Sequence, residues 1–254
     1  MAWLDWMVGA AAGLATMRAA IDRGDIDEAA RQGALAGPAV IEQGLAARDR
    51  PARLAAIAAA PQAEDRAELL EPLHRIASSA DRRVAIPAAH AAREISRELR
   101  QHERADDLAA EDVARWKHQW SELARDRDRW IELRVVALDT AAALDESGTG
   151  VDLGGALGDP DPAFRRAAIA IVAMPVPESL RAALATAVAN DRDSGVALAA
   201  AAVLCADLVA DPPKPILDTL GAAGLDRIKT LVASPGPVAQ IKDARRCIAD
   251  GQRP

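Results

Sequence analysis

The sequence predicts an all-α protein built as an α-solenoid, a stack of antiparallel helix pairs. Three observations predict it. First, six stretches share one pattern: a turn, an apolar residue, then an alanine-rich helix. Their apolar anchors are Leu54, Val84, Leu133, Phe164, Val196 and Val238, spaced by 30, 49, 31, 32 and 42 residues. A recurring period of this length marks a repeat array, in which each unit buries its apolar face against its neighbours. Second, alanine supplies 62 of the 254 residues. It is the strongest helix former and lets short helices approach closely. Third, there are five Trp, one Phe and no Tyr, and runs of β-branched or aromatic residues of strand type are nearly absent.

The elements follow in order. Residues 2–21 read as a first helix. A turn at Gly24-Asp25 opens a second, with Asp25 as cap and Glu28 three residues on, the spacing of a capping box. Gly37-Pro38 breaks the chain. Helix pairs are then expected at 39–47 and 51–60, 64–78 and 83–100, 111–126 and 130–144, 151–157 and 162–173, 177–189 and 194–209, and 215–232 and 236–250. Asp161 and Ser194 are the expected caps of two of these helices, and Pro162 suits a first helical position. Phe164, Ala168, Ile171 and Val172 share one helical face, as do Val196, Ala200, Val203 and Leu204. The domain reading is a helical cap over 1–37, a repeat array over 38–250 and a tail over 251–254. A polar insertion at about 101–112 and a proline-rich connector at 211–215 lengthen two of the spacings.

Half the residues are hydrophobic and the net charge is −7, which describes a foldable chain and not a disordered one. The charge divides as −3 over 1–80, 0 over 81–134 and −4 over 135–254. No segment is strongly basic, which counts against nucleic acid or an anionic membrane as partner. Cys205 and Cys247 lie in apolar helical stretches without a metal-ligand spacing, and read as two buried thiols in a reducing, cytoplasmic setting, with a disulfide or metal pair as the other reading. The apolar run over 1–17 contains Asp5 and no leading Lys or Arg. It reads as a first helix, with an export or membrane segment as the other reading.

At these turns the chain resembles HEAT-type repeats, in particular the short variety of about 30 residues also seen in bilin-lyase-related proteins. "GDPDPAFRRAA", with Asp159, Pro160, Phe164 and Arg165, carries the resemblance best. "DRWIELRVVAL", with Asp128, Leu133 and Arg134, comes second. The resemblance covers about residues 38–250. It implies a superhelix with a ladder of contacts between turn aspartates and helix arginines. Ala55, Ala85, Ala197 and Ala239 hold the arginine position in the other four stretches, so the ladder is expected to be incomplete.

Few residues invite chemistry. His74, His90, His102 and His118 form no metal-ligand spacing, and they read as surface or groove residues. The glycines of 148–158 lack the ending of a phosphate loop and read as turn punctuation. The tryptophans offer more. Trp116 and Trp120 lie one helical turn apart, and Trp130 opens the next helix, with Arg115 and Arg127 among the neighbouring cations. One reading is a groove gripping a partner's side chain or an extended peptide. The other is space-filling at the inserted repeat, with arginine stems over the rings. Trp3 and Trp6 similarly either cap the first repeat or dock a partner.

The expected function is therefore a non-enzymatic scaffold or adaptor that binds another protein or peptide on a curved helical surface, with no cofactor and no metal. A membrane contact is expected only through residues 1–17, if at all. The resemblance also brings an enzymatic alternative. A HEAT-like DNA glycosylase would use Trp, Arg and Asp near 115–130, with Asp126 or Asp128 as the acid; a bilin-lyase-like enzyme is the other form of it.

Overall fold

A computed structural model describes residues 12–13, 15–101, 109–145, 151–207 and 214–250. All regular structure among them is helical, and the chain divides into two compact units, 1–146 and 147–254.

The first unit holds α1 (residues 15–22), α2 (Ile26–Ala36), α3 (Pro38–Leu45), α4 (Arg50–Ala59), α5 (Leu70–Ala77), α6 (Arg82–Gln101), α7 (Ala110–Arg125) and α8 (Ile131–Ala143). Helices α3 and α4, α5 and α6, and α7 and α8 pack as hairpins. The second helices form one row of successive contacts, α2 to α4 to α6 to α8, and the first helices form another, α3 to α5 to α7. Two rows side by side are what stacked hairpins produce.

The second unit repeats the scheme. It holds α9 (Leu153–Leu157), α10 (Pro162–Ala170), α11 (Glu178–Asn190), α12 (Ser194–Ala206), α13 (Lys214–Ala233) and α14 (Val238–Asp250). Its rows are α9 to α11 to α13 and α10 to α12 to α14.

The interior is mostly alanine and leucine, and glycine sets the closest approaches. A Cβ on Gly44 would stand 2.7 Å from the Ala56 Cβ and 3.2 Å from the Met17 Cε. Helix α3 can therefore lie against α4 and α1 only with a bare backbone at that position.

Local chemistry explains where the helices begin. The aspartates Asp25, Asp49, Asp152, Asp161 and Asp193 each accept a backbone N–H at a helix start. Asp25 caps α2 as expected, through Glu28 N at 3.0 Å. The reciprocal half of the box is not made, because Asp25 N donates to Ala20 O and the Glu28 carboxylate serves Arg31 and Gln32. Ser194 is not the cap of α12. Asp193 is, accepting from Val196 N at 2.9 Å, and Ser194 becomes the first helical residue. A carboxylate is a charged acceptor and complements the positive helix end better than a hydroxyl.

Three expected helices differ in extent. The segment 64–78 opens with a 3-10 turn, Arg66–Leu69, before α5. Pro72 has no N–H to donate to the carbonyl four residues back, which disfavours an α-helix running through it from 64. Helix α10 stops at Ala170, where 173 was expected. The following loop is pinned elsewhere: Val176 N donates to the buried carboxylate of Asp207, 3.1 Å away at the end of α12. Within α13, Gly221 adopts φ 60°, ψ −178°, so this helix is two segments joined at a glycine.

The anchors obey a stricter register than their sequence spacing suggested. Val84, Leu133, Phe164 and Val196 are each the third residue of a helix and are buried, none more than 3% exposed. Leu54 is the fifth residue of α4 and only half-buried; Ala52 holds the third position and is buried. Val238 is the first residue of α14 and is 82% exposed, so its assignment as an anchor is corrected. The inward residues of α14 are Ala244 and Cys247.

Candidate interaction surface

The ladder of turn contacts is present at the best-matching repeat. Arg165, on the first turn of α10, donates to both carboxylate oxygens of Asp191 at 2.7 and 2.8 Å, in the turn between α11 and α12. Its remaining nitrogen donates to the Asp159 and Pro160 carbonyls at 2.8 and 3.0 Å, so one guanidinium ties two successive turns. Burial alone would raise the Asp191 carboxyl. The Arg165 guanidinium and the Asp193 N–H outweigh it and hold the group below the usual carboxylate range. Beside this pair a groove of about 810 Å³ opens between α9 and α11, lined by Gly154, Ala183, Thr186 and Asn190.

At the second-best repeat the rung has a different composition. Arg134 is buried and donates Nε to Ala124 O at 2.9 Å, closing the end of α7. Arg129 bridges the turns, donating to Asp126 at 3.0 Å and to Ser79 O at 3.2 Å in the preceding turn. Asp128 is exposed, and its backbone N–H donates to Asp126.

The tryptophan set divides. Trp116 and Trp120 are 6% and 0% exposed on α7. Trp120 meets the His74 ring edge-on, with centroids 5.1 Å apart, in the α5–α7 contact. Arg115 lies over Trp116 at 5.9 Å and also pairs with Asp112 at 2.7 Å. For these two rings burial supports the space-filling role. Trp130 is half-buried at the start of α8, and Arg127 is exposed on the turn before it. Trp3, Trp6, His102 and the glycines at 148–150 lie outside the described residues.

His74 is half-buried. Burial lowers its pKa below 6.5, against a smaller opposing pull from Glu71 and a backbone hydrogen bond at Gln119. His90, on α6, is lowered by burial first and by Arg93 second. His118 is exposed on α7. No group of three metal-ligating side chains occurs among the described residues, and no described helix is long and apolar enough to cross a membrane.

The two cysteines depart from expectation. Cys205 on α12 and Cys247 on α14 form a disulfide with Cα atoms 5.3 Å apart, and both are fully buried. They are 42 residues apart, the same interval that separates Val196 from Val238. Val196 and Val238 stand at different helical positions, so the interval gave no pairing signal; the packing of α14 on α12 brings the two sulfurs together. Other links along the second-helix row were invisible in sequence. Arg82 pairs with Glu132 at 3.1 Å, and Arg93 and Arg97 both reach Asp139, all between α6 and α8.

Stacked hairpins in two rows, joined at their turns by arginine, define a helical-repeat protein of the HEAT and armadillo type. A designed armadillo repeat protein has a similar structure, with a TM-score of 0.51 and 19% sequence identity, over 82% of this chain and 97% of that one. No protein-family model matches the sequence. No curated protein matches it by sequence. The structural likeness establishes the fold, an all-α solenoid.

Proposed function

We propose that this chain is a non-enzymatic scaffold that binds another protein or a peptide along its rows of second helices. The carrying observation is the continuous row α2, α4, α6, α8. Each of its helices buries one face in the stack; α2, α4 and α6 leave several side chains in the open, and α8 leaves Glu132 beside the half-exposed Val135 and Asp139, a binding surface with many small contact points. Trp116 and Trp120, being buried, supply nothing for stacking on a base or a pigment, so no observation favours the enzymatic alternative. The cap over 1–37 and the array over 38–250 remain the working division. On this reading Trp130 and Arg127 are the members of the tryptophan set that would meet a partner.

The setting bears on the partner. In a reducing cytoplasm the Cys205–Cys247 bond would be held open. A closed, buried bond favours an oxidising compartment over the cytoplasmic one expected from sequence. Thiol labelling of the chain isolated under acid quench distinguishes the two.

The test of function is cross-linking mass spectrometry on the full chain incubated with native lysate, followed by rebinding of the purified partner. Cross-links should map to open positions on α4, α6 and α8. Substituting those positions should abolish rebinding without loss of helical circular dichroism. A folded chain that retains no protein or peptide would overturn the reading.

A further inference from the structure

Arg93 and Arg97 lie one turn apart on α6 and converge on a single oxygen of Asp139 on α8, at 3.7 and 2.7 Å. Two guanidiniums on one carboxylate leave a positive charge in excess. The surroundings do not cancel it. Helix α6 carries five arginines, Arg82, Arg83, Arg93, Arg97 and Arg100, none of them buried. Against these it has Glu94 and Glu98, and Glu98 is engaged by Arg66 at 2.9 Å. Glu132 of α8 is engaged by Arg82. Arg83 has no ion-pair partner among the described residues. A chain of net charge −7 has thus collected cations on one edge of its second-helix row.

The same edge has an apolar component. Ile86 and His90 lie between Arg82 and Arg93 at helical spacing, and Val135 lies between Glu132 and Asp139 on the facing helix. All three are half-exposed. Paired guanidiniums favour planar carboxylates, which arginine recognises through parallel N–H donors. Half-exposed aliphatic side chains between the charges suit a peptide whose acidic residues alternate with apolar ones.

We propose that the open edge between α6 and α8 binds an extended acidic peptide, one carboxylate of which displaces Asp139 from between Arg93 and Arg97. Asp139 occupies the seat in the unbound protein. The inference rests on the scaffold reading and names the chemistry of its partner. It makes an unusual demand: removing an acid from the site must strengthen binding of an acid.

The test is fluorescence anisotropy on the full chain with a labelled hexaglutamate peptide; hexalysine and a single-stranded hexanucleotide serve as comparisons. Hexaglutamate should bind and weaken as salt rises. Arg97→Gln, at an exposed position, should weaken it by about tenfold, the scale of one charge-assisted contact. Asp139→Asn should tighten it by a similar factor. Hexaglutamate binding that Arg97→Gln leaves unchanged overturns the proposal, as does an Asp139→Asn variant, folded by circular dichroism, that binds no more tightly. Preference for the oligonucleotide would also overturn it, by pointing to a phosphate surface. Should hexaglutamate fail while a protein partner still cross-links to the row, the acidic-peptide inference falls and the scaffold stands.

Discussion

Helices α12 and α14 occupy neighbouring places in the same row, yet they are held differently. Helix α12 buries nine residues, from Val196 in its first turn to Cys205 near its end. On α14 only Ala244 and Cys247 are buried among the described side chains, and Val238 faces solvent. Burial of an aliphatic side chain contributes about 1.5–3 kcal/mol, so α14 has little apolar attachment of its own. The disulfide stands where that attachment is thin. Helix α12 is packed against both α10 and α14, whereas α14 adds a covalent bond to its thin apolar contact with α12.

The largest expected effect tests the packing half of this contrast. Phe164→Ala should cost about 3–5 kcal/mol by chemical denaturation, while Val238→Ala should stay within about 0.5 kcal/mol. A large loss at Val238 would break the comparison.

Replacing both Cys205 and Cys247 by serine should cost about 2–4 kcal/mol, as expected for a cross-link closing a loop of this length. Hydrogen exchange should then rise in α14 before α12. Uniform acceleration across the second unit would show that the bond serves the whole stack.

Smaller effects separate the caps. Asp193→Ala should cost about 1 kcal/mol by thermal melting, and Ser194→Ala less than about 0.5 kcal/mol, because Asp193 and not Ser194 holds the Val196 N–H.

The last prediction asks whether the units respond independently. His74 in the first unit has a pKa lowered by burial from 6.5. The unfolded chain therefore binds protons more readily, so stability is complete above about pH 6.5 and declines as pH falls below it. His74→Gln should remove part of that decline and leave the share of His90, whose pKa burial also lowers, and exchange in α14 should not follow it.

The fold was legible because its signals are local. Alanine-rich stripes, turn aspartates and prolines placed helices to within a few residues, and Val84, Leu133, Phe164 and Val196 fell on the buried register. The misplaced anchors trace to where each helix begins. Pro162 is the first residue of α10, so the apolar residue two positions later is inward. Pro51 is the second residue of α4. Pro237 precedes α14, where its carbonyl accepts from Ile241 N at 3.0 Å. The turn pattern is shared but the helix start within it is not, so Leu54 and Val238 fall off the third position. The site was less legible, since a convergence such as Arg93, Arg97 and Asp139 joins residues 42 to 46 apart through packing that only the assembled rows define. Charge counted along the chain averaged that edge away.

The bare backbone at Gly44 has a consequence for inheritance. One added methyl would wedge α3 off both α4 and α1, and the later hairpins of the first unit are each laid against the one before. A mutation there would propagate as a change in spacing, where most surface changes stay where they fall. Descendants of this chain should therefore vary freely along their open stripes and hold this seam unchanged.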